Sequence, residues 1–429
     1  MATLEFALKK IQDVSATFLA VKPEVADFTS DTSATLNIMA EGLNITIPLS
    51  GDVQKLKVAR AKIRGVLSKI IIGWDIKELF TFILGKTGVP FEIDAKIYDL
   101  KILEWYLGIE GKCPQSFEEA KSRLSKVVKH SSWEKLKNIY QKVYIPLISE
   151  VIPAAESLGV INHHLKRRLY SHYEIAGQVN GRLKCNKSLR NGFNPHSMGE
   201  AERQVLRPPF FDYDFIYLDY HNMEVGVLQW LSGDPLLGQI LETGKVYEGI
   251  WTALTGIDYN ENYRRISKSI FLPVVYGQGV DSLAKNAGMS NGTAVKLIDR
   301  IYKKFSVAMQ WIQQQQQFLV NGQGVDVAGR CRFFDETYKV RNFVVQSPAA
   351  LFCLEKLVQL YKGLKYGARL AFHIHDGYVL YAPRLEVERV GKLAIDILET
   401  ESEIFKGLKL KVSCKAGESI ETIKDIRRK

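Results

Sequence analysis

LDYHNMEVGVLQWLSGD, residues 218–234, places a carboxylate directly after the apolar run Phe215–Leu218 and then turns helical. A short apolar run closed by a polar residue reads as a buried strand, here with Asp219 at its end. FHIHDGYVLY, residues 372–381, repeats the theme: Asp376 lies between Ala371–Ile374 and Tyr378–Tyr381, at the expected turn of a hairpin. Either aspartate alone would read as a cap or turn residue. Although they are far apart in sequence, two strands of one sheet can bring both carboxylates to the same edge. Paired hard oxygen donors suit a cation such as Mg²⁺, which keeps positions open for phosphate oxygens. Two such ions about 3.5–4 Å apart can stabilise both the attacking and the leaving oxygen of an in-line displacement.

Between these segments lies RRISKSIFLPVVYG, residues 264–277. Arg264, Lys268 and Tyr276 fall on one side of a helix, with the two cations at i and i+4. Like charges so placed repel unless an anion sits between them, as a triphosphate would. An exposed basic helix is the plainer reading of this segment taken alone. Tyr276 offers a flat face, and Gly277 allows a base or backbone to approach closely.

The chain has 429 residues, 46% of them hydrophobic and 24% charged, as in an ordinary soluble globular protein. Its net charge of +11 favours a polyanionic partner, because clustered cations release counterions from phosphates. His163–Arg168 (HHLKRR) concentrates that charge, as backbone contact or as a solvated helix end. Five scattered cysteines without a CxxC pair point to a reducing compartment and away from structural zinc. No signal-peptide core is seen, and the apolar stretches read as too short and interrupted to span a bilayer. A cytoplasmic protein without membrane contact is expected.

Residues 35–48 read as a hairpin with Glu41-Gly42 near its turn. Helical spacing over 53–72 leads into the apolar run Ile70–Ile72, and 75–85 and 98–107 are helical by periodicity. The helical pattern resumes from 117 to Gly159, and a loop-rich basic section covers 176–208. Residues 221–320 are mainly helical, with turns at Ser232-Gly233-Asp234 and Gly256. Gln313–Gln317 reads as a solvated helix face. A β-like section near 323–334 precedes a helix at 348–361, two strands flanking His375-Asp376, and a short α/β tail.

In order and spacing, the three segments resemble motifs A, B and C of the family A DNA polymerases, the bacterial DNA polymerase I type. That family's motif A, Asp-Tyr-Ser-x-x-Glu with a later Leu-Ser-Gly-Asp, is matched by Asp219, Tyr220, Glu224 and Leu231–Asp234. Motif B, Arg-x3-Lys-x7-Tyr-Gly, is matched by Arg264, Lys268, Tyr276 and Gly277, and motif C, His-Asp-Glu, by His375-Asp376-Gly377. Asn180-Gly181-Arg182-Leu183 resembles the segment whose arginine touches the primer minor groove. Asn342 and Gln346 match an Asn-x3-Gln pair that contacts primer-template. The resemblance covers roughly residues 140–425.

It implies an α+β fold: a right-hand palm with an antiparallel sheet, helical fingers and an N-terminal RNase H-like α/β domain. It implies DNA synthesis on primer-template DNA from dNTPs, with two Mg²⁺ ions, for which Mn²⁺ can substitute. By the same carry-over, Asp219, Asp376 and the Tyr220 backbone carbonyl hold metal. Arg264 and Lys268 hold the triphosphate, and Lys268 can protonate the leaving pyrophosphate. Tyr276 and Leu272 lie at the incoming nucleotide, and Glu224 excludes a 2′-hydroxyl. Arg182, His375, Asn342, Gln346 and Gly277 face the DNA.

The chain also departs from the pattern. Gly377 replaces the second motif C carboxylate, implying reduced efficiency. Leu272 replaces an aromatic residue, and Pro273 predicts a bent helix. Single-subunit phage RNA polymerases share the motif B frame but lack the motif A glutamate, so Glu224 favours DNA over an RNA polymerase or primase. A non-catalytic nucleic-acid-binding relic is the other alternative, disfavoured by the survival of Asp219, Lys268 and Asp376. Residues 72–84 and 98–107 echo proofreading exonuclease motifs. Leu79 stands where an aspartate is expected, and Asp75 and Asp99 alone make no metal site, which implies a vestigial domain. The expected divisions are 1–115 exonuclease-like, 116–175 connector and rudimentary thumb, 176–235 palm, 236–335 fingers and 336–429 palm. A reduced thumb implies low processivity, with a processivity factor as a candidate partner.

Overall fold

The computed structural model describes residues 16–23, 34–40, 43–48, 70–87, 96–130, 132–186, 192–257 and 260–426. Its first sheet contains β1 (Ala16–Pro23), β2 (Ala34–Ala40), β3 (Leu43–Pro48), β4 (Ile70–Trp74) and β5 (Lys96–Asp99). The order is β3-β2-β1-β4-β5. β4 runs parallel to both β1 and β5, while β2 and β3 form an antiparallel ribbon on β1. β4 is central, and a central parallel strand is covered on both faces, which is why the successive residues Ile71 and Ile72 are both buried. The expected hairpin over 35–48 is present. Its turn residues Glu41 and Gly42, and the helical spacing read over 53–69, lie outside the described residues.

The helix Ile76–Thr87 makes the crossover from β4 to β5. The next helix starts at Leu100 rather than 98, because Asp99 ends β5 and caps the helix by accepting the Lys101 N–H. Helical turns then run from Phe117 to Leu158 in several segments and stop at Gly159, whose φ of 61° suits glycine. β6 (Val160–Asn162) and β7 (Arg167–Leu169) form an exposed basic hairpin that is joined by β10 (Leu206–Arg207). β8 (His172–Glu174) pairs with β9 (Lys184–Asn186).

β11 (Tyr213–Tyr220) leads into seven helices between Met223 and Gln317. The hairpin of β12 (Gln323–Val325) and β13 (Cys331–Phe333) follows, then the helix Lys339–Gly363. β14 (Arg369–Ile374), β15 (Gly377–Pro383), the helix Val387–Leu398, β16 (Val412–Gly417) and β17 (Lys424–Asp425) complete the chain. The second five-stranded sheet has the order β14-β15-β11-β16-β17. Its antiparallel pairs, set beside the mixed first sheet and the helical middle, make the class α+β, as expected.

The structure divides into two compact units. One contains residues 1–219, 353–398 and 413–429, and the other 220–352 and 399–412. The first has Phe215, Leu218, Val379 and Leu380 in its core, and the second Val227, Leu228, Phe271 and Phe305. The helix expected at 348–361 extends from Lys339 to Gly363, with Pro348 inside it. By length and apolarity this helix could cross a membrane, contrary to the expectation of interrupted stretches; most of it is buried, as in a core helix.

A buried ionic network ties the helix after β4 to later elements of the first unit. Lys77 Nζ donates to Glu156 Oε1 at 2.8 Å and to the Tyr173 carbonyl at 2.7 Å, and lies 3.1 Å from Glu78. His172 stands 3.3 Å from Glu78 and 3.4 Å from Glu156. Burial and Lys77 both oppose charge on His172, but Glu156 and Glu78 outweigh them and hold it up at about 9. Burial also opposes ionisation of Glu78 and Glu156, yet Lys77 and His172 keep both below the usual carboxylate range.

A histidine raised in the folded chain adds stability that is complete below its ordinary value of 6.5 and lost as pH rises through about 9. The lowered carboxylates add stability that is present above 4.5 and lost in acid. Melting temperature should therefore decline between pH 6.5 and 9, and His172→Gln should flatten that decline. Calorimetry across this range checks it; an equal alkaline decline in the variant would rule out the network as the source.

Candidate active site

β11 and β15 pair antiparallel from Tyr213 opposite Pro383 to Asp219 opposite Gly377. Ile374 pairs with Gly377, so His375 and Asp376 are the whole turn between β14 and β15. A two-residue hairpin turn of this kind needs a left-handed first residue, and His375 has φ 48°. Asp376 thus adjoins Gly377, and the structure brings it to the same sheet end as Asp219. The two carboxylates share Tyr217 as a neighbour. Its phenol is pushed above its ordinary value by burial first, then by Asp219 and Asp376. Both aspartates are half-buried, and the Asp219 carbonyl accepts from Ser413 Oγ at 3.2 Å.

Three histidines line the neighbouring strand end. The His375 ring stacks on His196 at 4.5 Å, and the buried His373 ring lies 6.3 Å from His196. Tyr173 fixes His373 through its hydroxyl, which accepts from the His373 N–H at 2.7 Å and donates to its carbonyl at 2.8 Å. Burial, then His375, pulls His196 down to about 4. Burial and Arg182 also lower His375, against Asp376. Arg182 follows Gly181, at φ 87°, and its N–H donates to Asn180 Oδ1 at 3.2 Å in a side-chain-closed turn. The structure therefore brings together Asp219, Asp376, His375 and Arg182 among the predicted residues. Sequence reasoning missed Tyr217, His196 and Tyr173. Only Tyr217 had a signal, lying two residues before Asp219 and so on the same strand face.

In the second unit, the helix Glu261–Val275 buries Ser267, Ile270, Phe271, Val274 and Val275. Lys268 is exposed on the opposite side, with Leu272 and Tyr276 half-buried at successive spacings of four. Arg264 shares this face by register, while its side chain lies outside the described residues. The helix continues through Pro273 to Val275, and Gly277 follows at φ 94°. Glu224 lies in the first turn of the helix Met223–Ser232, where the helix dipole favours a carboxylate. The Tyr276 hydroxyl donates to its Oε2, and Gln346 Nε2 donates to its Oε1 at 3.1 Å. Asn342 sits one turn before Gln346.

Asp234 ends the motif A segment as a double cap. Its Oδ1 accepts the Leu237 N–H, and its Oδ2 the Ala308 N–H, each at 3.0 Å. The glutamine run is not wholly solvated, contrary to expectation. Gln316 Oε1 accepts from Arg341 Nε at 2.9 Å and Nη2 at 2.6 Å, because the Arg341 side chain reaches its helix.

The N-terminal carboxylates are engaged otherwise. Asp75 Oδ2 accepts from Lys101 Nζ at 2.7 Å. The fully buried Asp99 accepts the N–H groups of Asp75, Ile76 and Lys101 at 3.1, 2.8 and 3.1 Å. Burial, then Asp75, raises Asp99 to about 6. Leu79 is buried, and β1 carries no carboxylate. Among the described residues, no group of three or more His, Cys, Asp or Glu side chains is arranged to hold a metal ion.

The model of DNA polymerase family A matches residues 115–422. DNA polymerase I of Chloroflexus aurantiacus is 25% identical over 267 residues, covering 57% of this chain and 28% of that protein. The thermostable DNA polymerase I of Thermus thermophilus is 24% identical over 317 residues, 70% of this chain and 36% of the relative. DNA polymerase I of Borreliella burgdorferi is 24% identical over 352 residues, 77% of this chain and again 36% of the relative. The chain thus spans about a third of the length of these relatives. Its fold is similar to the POL domain of Pol1 from M. smegmatis in complex with DNA primer-template and dNTP. The TM-score is 0.76 and the identity 14%, over 97% of this chain and 98% of that one.

With Asp75 held by Lys101 and Asp99 spent on backbone donors, Mg²⁺ or Mn²⁺ should not lead this chain to shorten a mismatched primer from its 3′ end. A gel of end-labelled primer checks this. Shortening that survives Asp376→Ala but disappears in Asp99→Ala would show a working site there.

Proposed function

The chain belongs to DNA polymerase family A, and from that premise we propose that it carries out template-directed DNA synthesis, adding deoxynucleotides to a primer 3′ end. The supporting observation is the β11–β15 register, which brings Asp219 and Asp376 to one sheet end. In the proposed reaction the primer 3′-oxygen bonds to the α-phosphorus of a dNTP, and pyrophosphate leaves.

Asp219 and Asp376, with the Tyr220 carbonyl, are the residues that would hold two Mg²⁺ ions, or Mn²⁺. Oxygen donors that are half-buried fit a hard cation that retains other ligands. When bound, such ions neutralise charge on the attacking and leaving oxygens. Arg264 and Lys268 hold the triphosphate, and Lys268 gives a proton to the leaving pyrophosphate. Tyr276 and Leu272 present their face to the nucleotide. Glu224, hydrogen-bonded through both oxygens, keeps a fixed side chain against a 2′-hydroxyl.

His375, lowered in pKa and stacked on His196, positions the primer end, while Arg182, Asn342, Gln346 and Gly277 contact primer-template. The exposed cations Lys166, Arg167 and Arg168 on the β6–β7 hairpin meet phosphates where a thumb would grip, and a processivity factor would extend that grip. We read residues 1–115 as a vestigial exonuclease-like domain, 116–175 as a helical connector and rudimentary thumb, 176–235 and 336–429 as palm, and 236–335 as fingers. The site of action is the cytoplasm.

Asp219→Ala and Asp376→Ala should each lower primer extension by roughly 10³-fold or more, since each 1.4 kcal/mol of lost transition-state stabilisation is tenfold in rate. Their circular dichroism should match the parent, and extension near the parent rate by either would refute the assignment. Glu224→Ala should raise ribonucleotide incorporation relative to deoxynucleotide incorporation. A parent chain that already uses both equally in a primer-extension assay would favour an RNA polymerase instead.

A further inference from the structure

The residue opposite Asp219 is Gly377, where a second carboxylate was expected. The space a side chain would need there is already taken. A Cβ on Gly377 would lie 3.0 Å from Tyr217 Cε2, 3.1 Å from Asp219 Oδ1 and 3.1 Å from the Leu218 carbonyl. Even one methyl group would press on all three, so the Tyr217 ring or the Asp219 carboxylate would have to give by a few tenths of an ångström. Tyr217 and Asp219 share one face of β11, both half-buried among flanking residues that are buried. The Tyr217 side chain also hydrogen-bonds that of Asp219. A carboxylate only accepts, so the phenol is the donor.

A carboxylate at a sheet end has a free torsion about its last bond, and a ligand that swings loses affinity for its cation. Groups that hydrogen-bond a ligand from behind set its orientation, and losing one typically costs 10–100-fold in metal affinity or activity. We propose that Tyr217 is the positioning residue for Asp219. Its hydroxyl holds the carboxylate, and its ring fills the space left by the absent side chain at Gly377. The two positions then act as one unit: the ring needs a glycine opposite, and the glycine leaves room for the ring beside Asp219. The ligand concerned is a divalent cation carrying phosphate oxygens, so the inference rests on the polymerase reading.

The test uses the full chain and two readouts. Mn²⁺ binding is followed by electron paramagnetic resonance without nucleotide, with Asp219→Ala as the control for binding at this site. Extension is followed across a Mg²⁺ titration. Tyr217→Phe keeps the ring and removes the donor. It should weaken the Asp219-dependent Mn²⁺ binding by roughly tenfold and raise the Mg²⁺ needed for half-maximal rate by a similar factor, with the rate recovering at saturating Mg²⁺. A residue that only supported the fold would not move the Mg²⁺ midpoint. Gly377→Ala should impair the parent, and the same change in a Tyr217→Ser background should cost much less, because the ring it displaces is gone.

Unchanged Mn²⁺ binding and Mg²⁺ midpoint in Tyr217→Phe would overturn the proposal. So would an equal cost of Gly377→Ala in both backgrounds. If the parent bound no more Mn²⁺ than Asp219→Ala and also failed to extend a primer, the polymerase reading itself would fall. Extension by the parent with Tyr217→Phe unaffected would overturn only the role of Tyr217.

Discussion

Seven residue pairs hold Tyr213–Asp219 against Gly377–Pro383, and the chemistry proposed for the first unit depends on that register. Side chains on a strand alternate between faces, so a slip of one residue would turn Asp219, together with Tyr217, to the opposite face of the sheet. The same slip would take Asp219 out of its place opposite Gly377, the residue next to Asp376. The register is well specified because Phe215, Leu218, Val379 and Leu380 are all buried. A shift would carry apolar side chains out of the core at about 1.5–3 kcal/mol each. The carboxylates, which contribute nothing to that core, are placed by residues that do.

The N-terminal sheet is tied to this arrangement through buried polar contacts. Lys77, on the helix after β4, binds Glu156 and the Tyr173 carbonyl, and the Tyr173 hydroxyl brackets the backbone of His373. A continuous set of buried polar contacts therefore runs from the helix after β4 to the strand that leads into His375 and Asp376. Removing one member of a buried ion pair is costly because its partner is left uncompensated. Asp75 and Asp99 are likewise engaged within the first unit, by Lys101 and by helix capping.

In the second unit the organising feature is Glu224. Tyr276, just past the end of the helix Glu261–Val275, and Gln346, on the helix Lys339–Gly363, both donate to it, so one carboxylate links segments distant in sequence. Asp234 does the same for backbone, capping its own helix and supplying an N–H acceptor to Ser306–Gln317, whose preceding residue Phe305 cannot cap. Residues that read as motif members thus have structural duties beside the roles proposed for them.

Much of this was legible in the sequence. The apolar run before Asp219, the alternation around His375-Asp376 and the four-residue spacing of Lys268, Leu272 and Tyr276 are local patterns, fixed by strand and helix periods of two and 3.6. They determined the elements and the candidate carboxylates, and the motif resemblance implied the α+β class. Local pattern also misled: the helix read over 348–361 runs from Lys339 to Gly363, with Pro348 inside it. What only the tertiary structure decided is which side chains meet. That Gly377 lies beneath Tyr217, that Gln316 binds Arg341 and that Lys77 finds Glu156 are contacts between distant segments. A residue's own periodicity states which face it occupies and carries no information about what packs against that face. That depends on strand register and helix approach, which are set by burial summed over the whole core.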